Sequence, residues 1–255
     1  MEENNILEKA RPYFHKADGD TLAILIHGFT GTPYDLRELG EFLYSKNVSV
    51  RAPLLPGHGS HWRDLEKVSD KDWQEAIERE VLNFFNEFKN IYLIGYSFGA
   101  NLALNMSVKH PEKIKGVVSL GISIFLRKDP LIRKMLPVVH NLFGKYRKKY
   151  VRKKVLEEYE ETGAYARIPT KSIYDFYNFV DNITKKELPK VTVPTLIIHS
   201  RDDRVTHPKS SHFVHEKIRS PQKDLLILDD INHNPLNSQV RNEIFSKIER
   251  FINSA

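Results

Sequence analysis

Ile91-Tyr92-Leu93-Ile94-Gly95-Tyr96-Ser97-Phe98-Gly99-Ala100 is the stretch on which the reading of this chain turns. Residues rich in β-formers run into Gly-Tyr-Ser-Phe-Gly, and Leu102, Ala103 and Met106 continue at helical spacing. The pattern predicts a strand, a tight turn and a helix, with Ser97 at the tip of the turn. So sharp a turn strains the serine backbone, and side chains two residues to either side would collide with it. Gly95 and Gly99 leave the room. Ser97 is therefore expected to project from the C-terminal edge of a sheet, above the positive end of a helix, as a candidate nucleophile. The bland alternative is a structural turn that happens to hold a serine, and the rest of the chain has to decide between them.

On either side of this stretch the chain alternates strand and helix signals. Thr21–Ile26 is a continuous apolar run, as expected of a parallel strand buried on both faces, and it ends in His27-Gly28-Phe29-Thr30-Gly31. Pro33 opens a helix with Leu36, Leu39, Phe42 and Leu43 on one face, and Val48 to Ala52 reads as the next strand. Tyr13 to His15 reads as a short edge strand. Ser69 and Asp72 have the spacing of a capping box before Trp73, Ile77, Val81, Phe84 and Phe88, which fall on one helical face. After the Ser97 helix, strands are expected at Gly116–Gly121, Val193–His199 and Asp224–Leu228, with helices from about Pro208 and through Val240, Ile244, Ile248 and Phe251. Such alternation argues for an α/β fold, a mostly parallel sheet with helices on both faces. From about Ile122 to Pro189 it breaks: the pattern is helical, aromatic and charged, with no convincing strand. An insertion at that point lies over Ser97, so the segment is expected to be a cap of a single domain spanning residues 1–255.

The bulk composition narrows the function classes. At 255 residues, 40% hydrophobic and 28% charged, the chain suits one large globular domain. It has no cysteine, hence no thiol nucleophile and no thiolate metal site, and no apolar run long enough to span a membrane. The acidic, polar start at Met1–Asn5 does not read as a signal peptide, so a cytoplasmic location is expected. The net charge of +6 is concentrated between Arg127 and Lys154, where eleven lysines and arginines are interleaved with apolar residues and Asp129 is the sole acid. Two readings stay open for that segment: a solvated face, or a basic amphipathic surface that meets an anionic membrane or steers anionic acyl carriers. Nucleic acid is not expected, because no binding module accompanies the charge.

A serine hydroxyl needs an adjacent base, usually a histidine oriented by a carboxylate. In open α/β sheets catalytic groups collect in loops after the strand C-termini. The loops after the last two expected strands are Ser200-Arg201-Asp202-Asp203-Arg204-Val205 and Asp229-Asp230-Ile231-Asn232-His233, which put an acid and a histidine in the chain order Ser, Asp, His. Together with His27-Gly28-Phe29-Thr30-Gly31 and Pro56-Gly57-His58-Gly59, these motifs make the chain resemble an α/β-hydrolase. Within that superfamily it is similar to small bacterial carboxylesterases and monoacylglycerol lipases.

The resemblance implies Ser97 as nucleophile, His233 as general base and then acid, and Asp203 as the carboxylate that orients His233. Asp202 sits one residue early in the family frame and is read as a loop cap. The resemblance also implies backbone N–H donors at Phe29 and Phe98 for an oxyanion hole. The implied reaction is hydrolysis of short- or medium-chain acyl esters through an acyl-enzyme, with no cofactor and no metal. Thioesterases, C–C hydrolases and proline-type aminopeptidases keep the same serine, and a hydrolase-fold receptor could keep the whole triad with little turnover. Dehalogenases and epoxide hydrolases need aspartate where Ser97 stands. His27 and His58 read as structural loop histidines. His207, His212 and His215 lack zinc-helix spacing and read as solvated. Tyr174, Phe176, Tyr177 and Phe179 either line a substrate tunnel or pack the cap onto the body.

Overall fold

The computed structural model describes residues 6–127, 133, 136, 146–149, 152–229 and 233–254. Among them, seven strands form one sheet: β1 (Tyr13–His15), β2 (Thr21–Ile26), β3 (Ser49–Ala52), β4 (Asn90–Tyr96), β5 (Ile114–Leu120), β8 (Thr195–Ser200) and β9 (Lys223–Leu228). Their order is β1-β3-β2-β4-β5-β8-β9, with β1 antiparallel at the edge and every other pairing parallel. Crossover helices leave both faces covered, which explains why β2 reads as an unbroken apolar run. Alternate residues serve opposite layers. Leu22, Ile24 and Ile26 with Ile91 and Leu93 enter one apolar core, while Ala23 and Leu25 with Tyr92, Ile94 and Tyr96 enter the other.

The helices keep the expected faces. The helix Asp70–Phe84 starts at a capping box made by Ser69 and Asp72 and buries Trp73, Ile77 and Val81. It ends at Phe84, so Phe88 is buried from the turn that follows rather than from the helix itself. Among the described residues no helix is long and apolar enough to cross a membrane.

The segment between β5 and β8 corrects one expectation. Two short strands, β6 (Tyr146–Lys148) and β7 (Arg167–Pro169), pair antiparallel within it. Three residues apiece, rich in Arg and Lys and closed by a proline, leave no alternation for a sequence reading to find. The helices Lys153–Thr162 and Thr170–Phe179 flank β7. Ile173, Phe176, Tyr177 and Phe179 share one continuous apolar core with β2 and β4. Polar ties join the same surfaces: Asn105 Nδ2 donates to Glu187 Oε2 at 2.6 Å, and Ser172 Oγ to the Leu65 carbonyl at 2.9 Å. Within the basic run, Lys128, Lys134 and Lys145, with Leu131, Met135, Val138, Val139, Leu142 and Phe143, lie outside the described residues. So do Asp129, Asp230, Ile231 and Asn232.

Candidate active site

β4 lies at the centre of the sheet between β2 and β5, and its C-terminal end delivers Ser97 directly to the start of the helix Phe98–Lys109. Ser97 has φ 54° and ψ −115°, a strained backbone for a residue with a side chain. The two flanking glycines explain how the turn closes. A Cβ on Gly95 would lie 2.3 Å from the Gly99 carbonyl oxygen, and one on Gly99 would lie 2.1 Å from that of Ile26. Neither position accepts any other residue without moving backbone.

His233 follows β9 and Asp203 follows β8, and both side chains turn towards Ser97. His233 Nε2 lies 3.1 Å from Ser97 Oγ, and His233 Nδ1 lies 2.7 Å from Asp203 Oδ2. Asp203 is 1% exposed and fully engaged. Its Oδ1 accepts the backbone N–H groups of Val205 and Thr206 at 2.7 and 2.9 Å. Its Oδ2 accepts the Thr206 hydroxyl at 2.7 Å and faces His199 Nε2 at 3.3 Å. Burial pushes the Asp203 carboxyl up, but hydrogen bonds from His199, His233 and Thr206 outweigh it and hold the acid well below the usual carboxylate range. An aspartate kept ionised in this way fixes the proton of His233 on Nδ1 and leaves Nε2 as an acceptor facing the serine hydroxyl. Asp202, by contrast, is exposed, and its backbone N–H donates to Ser200 Oγ.

The loop after β2 lies against the nucleophile. A Cβ on Gly28 would stand 3.1 Å from Ser97 Cβ, so the backbone carrying Phe29 passes close beside the serine. The Phe29 ring stacks on Phe176 at 5.4 Å and meets Phe98 edge-on at 6.0 Å. Two buried histidines hold the loop's shape. His27 Nε2 accepts the Leu55 N–H while its Nδ1–H donates to the Gly28 carbonyl. His58 Nε2 accepts the Thr30 N–H, and its Nδ1–H donates to the Pro56 carbonyl.

Burial lowers His58 to about 4 and His27 well below the ordinary histidine value, so both stay neutral. In the unfolded chain His58 regains about 6.5, and the unfolded state then binds the proton first. Its contribution to stability is fully present above about pH 6.5 and is lost as pH falls towards 4. We expect the unfolding free energy from denaturant titration to fall on acidification across that window, by roughly 3 kcal/mol from His58 alone. In the folded protein the His58 ring resonances should titrate with a midpoint near pH 4; titration near pH 6.5 would overturn this.

A cavity of about 580 Å³ opens in front of Ser97. Phe29, Leu126, Val155, Ile168, Phe176 and Tyr177 make its apolar walls. The four aromatic residues of the helix Thr170–Phe179 therefore divide their duties. Phe176 and Tyr177 line the cavity, Phe179 is buried edge-on against Phe98 at 5.3 Å, and Tyr174 is exposed.

Sequence reasoning did not single out four groups the structure brings here. Ser123 Oγ lies 2.9 Å from Ser97 Oγ. His199 and Thr206 share Asp203, and Lys149, read only as part of a basic run, turns inward to donate to Thr30 Oγ1. None lies in a motif; Ser123 and Lys149 arrive through tertiary contact, while His199 and Thr206 lie four and three residues from Asp203. His199 carried one signal, its position at the end of a buried strand four residues before the acid.

The protein-family model described as serine aminopeptidase, S33, matches residues 18–239. A thermostable monoacylglycerol lipase from Bacillus sp. (strain H-257) is 28% identical over 238 residues, 91% of this chain and 90% of that protein. A carboxylesterase from Bacillus subtilis (strain 168) is 22% identical over 225 residues, covering 88% of each. The crystal structure of a monoacylglycerol lipase from Paleococcus ferrophilus superposes with a TM-score of 0.82 at 18% identity, covering 96% of this chain and 98% of that one.

Proposed function

The chain belongs to the serine aminopeptidase S33 family, and from that premise we propose that it is a serine carboxylic-ester hydrolase working through an acyl-enzyme. The observation that carries this reading is the unbroken chain Ser97 Oγ, His233, Asp203, opening on an apolar cavity. Similarity to a monoacylglycerol lipase and a carboxylesterase supports the ester as substrate.

Ser97 Oγ attacks the acyl carbonyl carbon as His233 Nε2 takes its proton. The negative charge that develops on the carbonyl oxygen faces the backbone N–H groups of Phe29 and Phe98. The ester C–O bond then breaks, and His233 returns the proton to the departing alcohol. Water attacks the acyl-serine, again giving a proton to His233, which passes it to Ser97 Oγ as the carboxylic acid leaves. Residues 122–189 act as the cap: Ile168, Phe176 and Tyr177 close an apolar chamber over the serine. A chamber of about 580 Å³ suits short or medium acyl chains.

The test is a p-nitrophenyl ester series from acetyl to dodecanoyl, run beside a thioester of the preferred acyl group. Turnover should peak at a short or medium chain and favour the oxygen ester. A thioester hydrolysed markedly faster would move the assignment to thioesterase, and single-turnover kinetics throughout would move it to a receptor.

Peripheral contact with an anionic membrane is supported by the exposed cations Arg147, Lys148, Arg152, Lys153 and Lys154. Sedimentation with phosphatidylglycerol vesicles should exceed that with phosphatidylcholine and weaken as salt rises. Equal binding to both would sink the membrane reading.

A further inference from the structure

The walls of the cavity before Ser97 are apolar, but its charged lining is lopsided. Among the described residues, Arg127, Arg147, Lys148, Lys149 and Arg204 face it, against the carboxylates of Asp35 and Glu158. The cations come from separate places: three from β6 and the residue after it, one from the end of the β5 loop, one from the loop that carries Asp203. Four of them are exposed at the rim, while Lys149 is half-buried deeper in.

Their engagements differ. Arg127 is spoken for, its guanidinium donating to the Asp203 carbonyl. Asp35 Oδ2 accepts the Thr32 N–H at 3.3 Å in a capping box, and its charge also acts on the Lys149 ammonium deeper in the cavity. The Lys149 ammonium donates to Thr30 Oγ1 and lies 4.9 Å from the centroid of the Tyr159 ring. Burial lowers Lys149 to about 8, which leaves it largely charged near neutrality. A half-buried ammonium facing a substrate chamber is partly desolvated, and an anion in the chamber restores what it has lost. A wholly neutral ester offers these side chains acceptor oxygens but no charge to pair with.

We propose that the ester hydrolysed here carries an anionic group, a phosphate or a carboxylate, remote from the scissile bond. The apolar part fills the walls formed by Phe176 and Tyr177, and the anion sits among Lys149, Arg147 and Arg204. This rests on the ester-hydrolase reading above and narrows its substrate class. The anion belongs either to the alcohol part or to the far end of the acyl chain, and the two sources are separable.

The experiment uses short esters that stay monomeric, so that vesicle binding plays no part. Hexanoyl-glycerol is compared with hexanoyl-glycerol 3-phosphate, and methyl hexanoate with the monomethyl ester of adipic acid, at low and high ionic strength. We expect one acidic ester to exceed its neutral counterpart in kcat/KM by on the order of tenfold or more at low salt, the gap narrowing as salt rises. The phosphate pair reports an anion on the alcohol, the adipate pair one on the acyl chain. Arg147→Gln combined with Arg204→Gln should bring the acidic-to-neutral ratio towards one, mainly through KM. Both residues are exposed, so the double variant is expected to fold; Lys149→Gln is the deeper probe, read by the same ratio. Equal kcat/KM within both pairs, or a ratio untouched by the double variant, overturns the proposal. Hydrolysis of none of the four esters would instead remove the ester-hydrolase reading, and this inference with it.

Discussion

Replacing Ser97 by alanine is expected to lower kcat by on the order of 10⁴-fold or more, with KM changed little and the fold retained. The substitution deletes one oxygen and nothing else. Its hydrogen-bonding neighbours, Ser123 Oγ at 2.9 Å and His233 Nε2 at 3.1 Å, are both polar groups beside an open cavity where water can replace the lost hydroxyl. Alanine keeps the Cβ, so the strain of φ 54° is carried over unchanged rather than relieved. Gly95 and Gly99, which let the turn close, are untouched. Melting temperature should therefore shift by a few degrees at most. The remaining rate would come from backbone donors and substrate positioning, which outlast the nucleophile. Turnover near the wild-type value would refute Ser97 as nucleophile, and a collapsed melting temperature would show the loss to be structural instead.

The sheet could be read from the sequence because buried parallel strands write themselves as short apolar runs, and β2, β5 and β8 do so. The turn at Ser97 was readable for a different reason. Gly95 answers a local steric demand from Gly99 and Ala100, and local demands leave local signatures; Gly99, crowded by the Ile26 carbonyl, completes the same short spacing. His27 and His58 could be read as structural because a loop histidine has backbone groups at hand, and each satisfies two of them. Part of what stayed hidden depends on distance along the chain. Ser123 meets Ser97 across 26 residues, and Lys149 meets Thr30 across 119. A serine or a lysine looks alike in sequence whether it faces water or a cavity. β6 and β7 were hidden by brevity, since three residues carry no periodicity and pairing alone makes them strands.

Asp203→Asn should cost on the order of 10⁴-fold in kcat, whereas Asp202→Asn should stay within a few-fold of wild type. The loss follows from the acceptor count at Asp203. Its Oδ1 already serves two backbone N–H donors, and Oδ2 receives donors from His233, Thr206 and His199. Asparagine has one acceptor oxygen and one donor nitrogen. The two backbone N–H groups cannot turn away, so they claim the oxygen and the amide NH₂ is left facing His233. A donor there obliges His233 Nδ1 to become the acceptor, which moves the ring proton to Nε2. Nε2–H then points at Ser97 Oγ and can no longer take its proton. The charge is lost as well. A carboxyl held below its ordinary value contributes stability above its unfolded pKa of about 4, and that contribution disappears as pH falls through the folded value. The asparagine variant should accordingly be less stable than wild type at neutral pH, and the difference should shrink on acidification. Asp202 is exposed rather than enclosed as Asp203 is, with its backbone N–H on Ser200 Oγ. Rates for the two variants on one ester, with unfolding curves at neutral and acid pH, separate the roles. A loss of similar size at Asp202, or full activity at Asp203→Asn, would mean that His233 takes its orientation from another group.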